Sequence, residues 1–290
     1  MILVTGAGGL TGLAVLRALA RRGLAARAFV HRPAAAALAT SAGAAQAFVG
    51  DLRDRGDVRR ALAGARQLYH IAPRMSDAEV EIGQALIDAG RSTGLTRFVF
   101  HSVIHAQCDA MGHHRDKRLV ELALIESGLA YTLMQPTMYM QNLLPAWDEI
   151  RSRGVYRLPY SEQVRMSLVD LEDVAEAAAE VLAGPGWDGA AFELCSGDRL
   201  TRFEMAAVIA RVLGRSVHAE RCPLDEWLAA AAGSRTPFQL GRVAAMFAHY
   251  DRFGLPGGNP RVLRMMLGRD PTRFEAFVRR LVASGAKELR

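Results

Sequence analysis

Ile2-Leu3-Val4-Thr5-Gly6-Ala7-Gly8-Gly9-Leu10-Thr11-Gly12 opens the chain, and these residues decide its fold. A short apolar run suited to a buried strand ends at Thr5, and glycines follow at 6, 9 and 12. From Leu10 to Arg22 the apolar residues Leu13, Leu16, Leu19 and Ala20 fall on one face of a helix. A glycine every third residue allows a tight turn and lets backbone approach a pyrophosphate, whose oxygens then rest on the N–H groups at the helix N-terminus. A plain strand-to-helix turn uses glycine too. The strand before the glycines and the amphipathic helix after them are the context of a dinucleotide site, with Gly6, Gly8, Gly9, Leu10, Thr11 and Gly12 as candidate contacts.

Working outward, short apolar runs alternate with helical stretches as far as Gln135. Strands are expected at 25–30, 47–49, 67–71, 97–102 and 131–135, with helices at 57–63, 78–93 and 114–127 and a helix or loop at 33–46. Alternation of this kind builds βαβ units and a parallel sheet. Beyond Pro136 the rhythm fades into strands at 166–169 and 192–194 and helices at 171–182, 202–213, 227–232, 239–248 and 273–284. The expected architecture is α/β: a Rossmann-type, doubly wound parallel sheet with a smaller helix-rich C-terminal lobe. The division expected is a dinucleotide-binding domain at 1–150 and a substrate-lobe region at 151–290, interleaved with the last core strands.

Twenty residues past Gly12 the chain reads Val30-His31-Arg32-Pro33, with no acidic residue between Gly23 and Gly50. An NAD site usually places Asp or Glu here for the ribose 2′-hydroxyl, whereas Arg suits a 2′-phosphate. NADP(H) is therefore expected in preference to NAD(H), with Arg32 as anchor and His31 beside it; a solvated arginine is the plainer alternative. Asp51, followed by Leu52, is placed either to reach the adenine amine or to cap the next turn.

The chain has 290 residues, half of them hydrophobic, and a net charge of +6. From Thr201 onward 15 basic residues face 8 acidic ones, but they are scattered and no nucleic-acid-reading motif accompanies them. The expectation is an arginine-rich solvated surface with no nucleic-acid role. No apolar run is long enough to span a membrane, and Met1 leads straight into the first strand with no leader pattern, so a cytoplasmic protein without membrane association is expected. Cys108, Cys195 and Cys222 are odd in number and far apart, which suggests reduced thiols. Lysine occurs only at 117 and 287, against 34 arginines, which singles out Lys117 because an ammonium differs from a guanidinium in reach and pKa range.

Met1–Gly12, Gly50-Asp51-Leu52, Phe100-His101-Ser102-Val103, His113-His114-Arg115-Asp116-Lys117 and Gln135-Pro136-Thr137-Met138-Tyr139-Met140-Gln141-Asn142 together resemble the NmrA-like group of atypical short-chain dehydrogenase/reductases. The resemblance continues through Met246–Tyr250 and Leu267–Pro271 and so spans nearly the whole chain. It implies an NADP(H) site in the first domain and a substrate cleft under the second. In this reading Ala72, Pro73 and Arg74 flank the cofactor ribose, Ser102 and Val103 lie near the nicotinamide, and Pro136 and Thr137 line the same site.

The resemblance also implies a departure. Short-chain dehydrogenases use Y-x-x-x-K, whose tyrosine donates a proton while the lysine holds the nicotinamide ribose. Lys117 matches the lysine, but His113 stands in the tyrosine's place. His113 is either a general acid or a passive helix N-terminal residue. Tyr139 is a second candidate donor, or packs against the cofactor. His101, His105, His113 and His114 lack a recognised ligand spacing, so no metal is expected. The resulting expectation is an NADPH-dependent reductase of a quinone, enone or carbonyl small molecule. The alternative is a non-catalytic NADP(H) sensor that binds a protein partner.

Overall fold

A computed structural model describes residues 1–284; Lys287 lies outside the described residues. The chain divides into two compact units. The first unit comprises Met1–Gln107, His113–Gln135 and Val174–Glu193; the second comprises Cys108–Gly112, Pro136–Asp173 and the chain from Leu194 onward.

In the first unit β1 (Ile2–Val4), α1 (Leu10–Arg21), β2 (Ala26–Val30), α2 (Pro33–Ser41), β3 (Gln46–Val49), α3 (Arg55–Leu62), β4 (Gln67–His70), α4 (Glu79–Thr93), β5 (Arg97–His101), α5 (Gly112–Ile125) and β6 (Tyr131–Pro136) alternate as the sequence pattern implies. The chain leaves for the second unit through β7 (Met138–Tyr139), α6 (Trp147–Arg153), β8 (Val155–Leu158) and β9 (Met166–Val169). It returns with α7 (Leu171–Ala183) and β10 (Ala190–Leu194). The resulting seven-stranded parallel sheet has the order β10-β6-β5-β4-β1-β2-β3.

Strand order reverses between β1 and β4, the point at which open α/β sheets bind ligands beyond their carboxyl ends. β1 is buried along its length, as a central parallel strand covered on both faces must be. Ile82 and Leu86 of α4 and Val120 and Leu124 of α5 join Leu68, Phe98, Phe100 and Leu133 of the sheet in one apolar cluster. Each such leucine contributes about 1.5–3 kcal/mol by leaving water. Gly83 sets the spacing of α4 and α5, since a Cβ there would lie 2.7 Å from Val120.

The second unit holds two small sheets. β9 pairs in parallel with β7 and antiparallel with β11 (Arg199–Leu200), and β8 pairs in parallel with β12 (His218–Arg221). Helices α8 (Arg202–Leu213), α9 (Leu224–Ala231), α10 (Pro237–Phe253), α11 (Pro260–Leu267) and α12 (Phe274–Ala283) make up most of the rest. Buried Asp170 and Asp173 hold the C-terminal segment by accepting from Arg280 and from Arg269 and Thr272. Many basic residues of this unit carry acidic partners, among them Arg211 and Arg279 with Glu275, Arg221 with Asp251, and Arg264 with Asp270. Arg202 departs from the solvated expectation: it is buried, lies over the Tyr160 ring and donates to the Tyr160 carbonyl.

Candidate functional site

The glycine turn after β1 is shaped by contacts that leave no room for side chains. Gly6 adopts φ +61°, and a Cβ there would lie 2.8 Å from the Ile71 carbonyl oxygen. A Cβ on Gly12 would lie 2.4 Å from the Gly6 oxygen and 2.5 Å from Ala7 Cα, and one on Gly8 would lie 2.7 Å from Ala35 Cβ. Gly9 is different: it is the N-cap of α1, and a Cβ there would meet only the Gly6 oxygen, at 3.4 Å. No side chain caps α1 and its first turn holds no acidic residue. A positive helix end with a bare glycine at its mouth fits the pyrophosphate of a dinucleotide. Leu10 and Thr11 begin that helix, with Leu10 exposed.

Arg32 lies two residues past β2 and N-caps α2, exposed beside the exposed His31, and its guanidinium has no acidic partner among the described residues. Asp51 combines the two sequence-based alternatives only in part. Its Oδ1 accepts from the Arg53 N–H at 2.9 Å, which is a turn-capping role, while the residue as a whole stays exposed. Leu52 is buried behind it.

The carboxyl ends of β4 and β5 carry a buried polar group of unusual density. Thr5 Oγ1 lies 2.7 Å from His70 Nδ1, and the Tyr69 hydroxyl lies 2.6 Å from His101 Nδ1. Burial, with a smaller contribution from the Lys117 charge, pushes both imidazoles down to about 3, so both are neutral near pH 7. The Ser102 hydroxyl is buried with no hydrogen-bond partner among the described residues, and Val103 follows half-buried. Ala72, Pro73 and Arg74 form the loop between β4 and α4, which passes through Met75 at φ +46°.

Lys117 and His113 lie one turn apart on α5. The Lys117 ammonium donates to Glu79 Oε1 at 2.7 Å, approaches the His101 carbonyl at 3.5 Å and stands 5.3 Å from the Phe100 ring centroid. His113 is half-buried, its ring edge-on to His114 at 4.5 Å, and His114 Nδ1 donates to the His105 carbonyl. Among the described residues no three His, Cys, Asp or Glu side chains are grouped so as to hold a metal ion. Glu79 went unread in the sequence, where it resembles any acidic residue of a first helical turn.

Pro136, Thr137 and Tyr139 belong to the second unit. Thr137 donates its N–H to the Leu194 carbonyl and buries a hydroxyl with no partner among the described residues, and Tyr139 sits half-buried in β7. The same unit holds a pocket of about 220 Å³ walled by Cys222, Leu224, Phe247 and Asp251, which is lined by none of the candidate catalytic or cofactor-binding residues read from the sequence. All three cysteines are free thiols, and no described helix is long and apolar enough to cross a membrane.

The parallel sheet, the switch point beside β1 and the glycine-bounded helix end define a Rossmann-type protein of the dinucleotide-binding class. The chain belongs to the NmrA-like family, which it matches over residues 1–278. It is 32% identical over 243 residues to an NAD(P)H azoreductase of Xenophilus azovorans, covering 83% of each chain. It is 30% identical over 225 residues to a (4-alkanoyl-5-oxo-2,5-dihydrofuran-3-yl)methyl phosphate reductase of Streptomyces griseus, covering 78% of each. Its fold matches that of an NADPH-dependent quinone oxidoreductase of Escherichia coli solved with NADPH, with a TM-score of 0.84 and 23% identity over 97% of this chain and 100% of that one.

Proposed function

We propose that this protein is an NADPH-dependent reductase that delivers hydride to a conjugated small molecule of the quinone, enone or carbonyl class. The observation that carries the reading is the glycine turn, where Gly6, Gly8 and Gly12 are sterically enforced and Gly9 stands bare at an uncapped helix end. The azoreductase and the phosphate reductase support it, since both are named as reductases and one as using NAD(P)H.

When bound, the cofactor supplies the hydride. The residues of this chain do the rest. Leu10, Thr11 and Gly12 hold the pyrophosphate with backbone N–H groups at the helix end that Gly9 leaves bare, and Arg32, which has no acidic partner among the described residues, meets the 2′-phosphate, which sets the preference for NADP(H). Asp51 and Leu52 border the adenine, and Ala72, Pro73 and Arg74 border the ribose. Lys117 holds the nicotinamide ribose, and Ser102 and Val103 bound that half of the cofactor. His113 or Tyr139 supplies the proton that completes reduction; a quinone or carbonyl oxygen that takes on negative charge as the substrate accepts hydride needs a proton delivered at the same stage.

The test follows NADPH consumption with a panel of quinones, enones, aldehydes and azo dyes, alongside direct NADPH binding. Turnover of at least one class is expected. Tight binding without turnover of any would overturn the reductase reading in favour of a cofactor-sensing regulator.

A further inference from the structure

We propose that Glu79 is a positioning residue for the cofactor. Its carboxylate fixes the Lys117 ammonium so that the remaining N–H of that ammonium meets the nicotinamide ribose. This rests on the reading that Lys117 is the ribose anchor.

The juxtaposition is built by the fold. α4 and α5 approach so closely at Gly83 and Val120 that no Cβ fits between them. One turn before Gly83 on α4 is Glu79, and one turn before Val120 on α5 is Lys117. Helix spacing thus places the two side chains opposite each other. The Glu79 side chain is 2% exposed and that of Lys117 16%. Glu79 is also the first residue of α4, where the helix dipole favours a carboxylate.

Three features distinguish this pair from a purely structural ion pair. An ammonium has three N–H donors. Glu79 takes one at 2.7 Å and the His101 carbonyl takes a second at 3.5 Å, and among the described residues no acceptor takes the third. Arginine is the better residue for a buried pair because its fork engages both carboxylate oxygens. A chain with 34 arginines nevertheless uses lysine here. Finally, Glu79 closes the loop that carries Ala72, Pro73 and Arg74, and Lys117 reaches the carboxyl end of β5 through the His101 carbonyl. Ligands of open α/β sheets bind at that end.

The experiment measures binding of NADPH and of adenosine 2′,5′-bisphosphate, which lacks the nicotinamide half, together with the fluorescence of bound NADPH. Lys117→Ala should weaken NADPH about tenfold or more and leave the bisphosphate unchanged, the cost of one charge-assisted hydrogen bond. If it leaves NADPH unchanged, the ribose-anchor reading fails, and the role of Glu79 with it. If Lys117→Ala behaves as expected, Glu79→Gln should weaken NADPH roughly three- to thirtyfold, alter the bound nicotinamide's emission, spare the bisphosphate, and add nothing in the Lys117→Ala background. Wild-type NADPH affinity in Glu79→Gln would overturn the inference while leaving the Lys117 reading intact. So would equal losses for both ligands, or the same loss in both backgrounds. Should Glu79→Gln not fold, Glu79→Asp keeps the charge and withdraws it by one methylene. An NADPH-selective loss is then expected, and unchanged affinity overturns the proposal.

Discussion

Adding one methyl group at Gly9 and one at Gly12 should have opposite consequences. At Gly12 a Cβ would stand 2.4 Å from the Gly6 oxygen and 2.5 Å from Ala7 Cα, about 1 Å inside ordinary contact with backbone on two sides. Relief requires α1 to shift away from the turn, and overpacking of this kind costs about 1–3 kcal/mol. The gain from alanine's better helix propensity, about 1 kcal/mol, offsets only part of it. Gly12→Ala should therefore lower the melting temperature, at roughly 2–4 °C per kcal/mol lost. At Gly9 the backbone (φ −89°, ψ 169°) suits alanine and the new Cβ meets only one atom, at 3.4 Å. Stability should change by less than about 0.5 kcal/mol. The new methyl would instead occupy the mouth of α1, where phosphate oxygens must approach the N–H groups. NADPH affinity should fall roughly ten- to a hundredfold, equivalent to about 1.4–2.8 kcal/mol. Thermal denaturation and fluorescence titration with NADPH read the two quantities separately. A well-folded Gly9→Ala protein with wild-type NADPH affinity would refute the assignment of the pyrophosphate to this helix end.

NADPH should bind at least tenfold more tightly than NADH, and Arg32→Glu should shrink or reverse that preference; equal affinities in the wild type would remove Arg32 from cofactor choice. His113→Phe should preserve NADPH binding and lower turnover about 10²- to 10⁴-fold if the imidazole donates the proton, and full activity would transfer the role to Tyr139 or water. The pH dependence of stability follows from His70 and His101, whose folded pKa values of about 3 lie below the unfolded value of 6.5. Below pH 6.5 the unfolded chain binds protons that the folded chain refuses, so stability falls as pH falls, by roughly 2 kcal/mol per histidine at pH 5. Denaturant titrations at pH 7 and pH 5 should show this loss, and His101→Gln should remove about half of it; a flat profile would mean the imidazoles are not neutral in the fold.

The first unit was legible because its signals are local. The strands expected at 2–5 and 97–102 and the helix expected at 10–22 match the observed elements within a residue. Helix α8 was read with both ends correct, since Thr201 and Glu204 form a capping box and Gly214 closes it in the left-handed region. α10 shows a signal passed over: Thr236, Pro237 and Gln239 form the same box, and the helix starts at Pro237 and runs to Phe253, beyond the expected 239–248. α11 sits between glycines and is absent from the expected helices, although Asn259 and Pro260 are an N-cap and a first-turn proline. The strands at 138–139, 155–158, 199–200 and 218–221 are too short to show a period and exist through partners distant in sequence. The site divides the same way. The glycine turn is a local pattern, whereas Glu79 acquires its role only because Gly83 lets α5 come near, and no spacing along one helix reveals that.

The return of the chain at Val174–Glu193 ties synthesis to folding. A nascent or truncated product ending near residue 150 holds six strands of the sheet but lacks α7 and β10. β6, with Leu133 and Met134 buried in the finished fold, would then be an open edge with unpaired N–H and carbonyl groups, a template for association with other chains. Cutting the gene at the apparent midpoint should thus give an insoluble product. A dinucleotide-binding fragment for expression would need residues 174–193 joined back through a short linker.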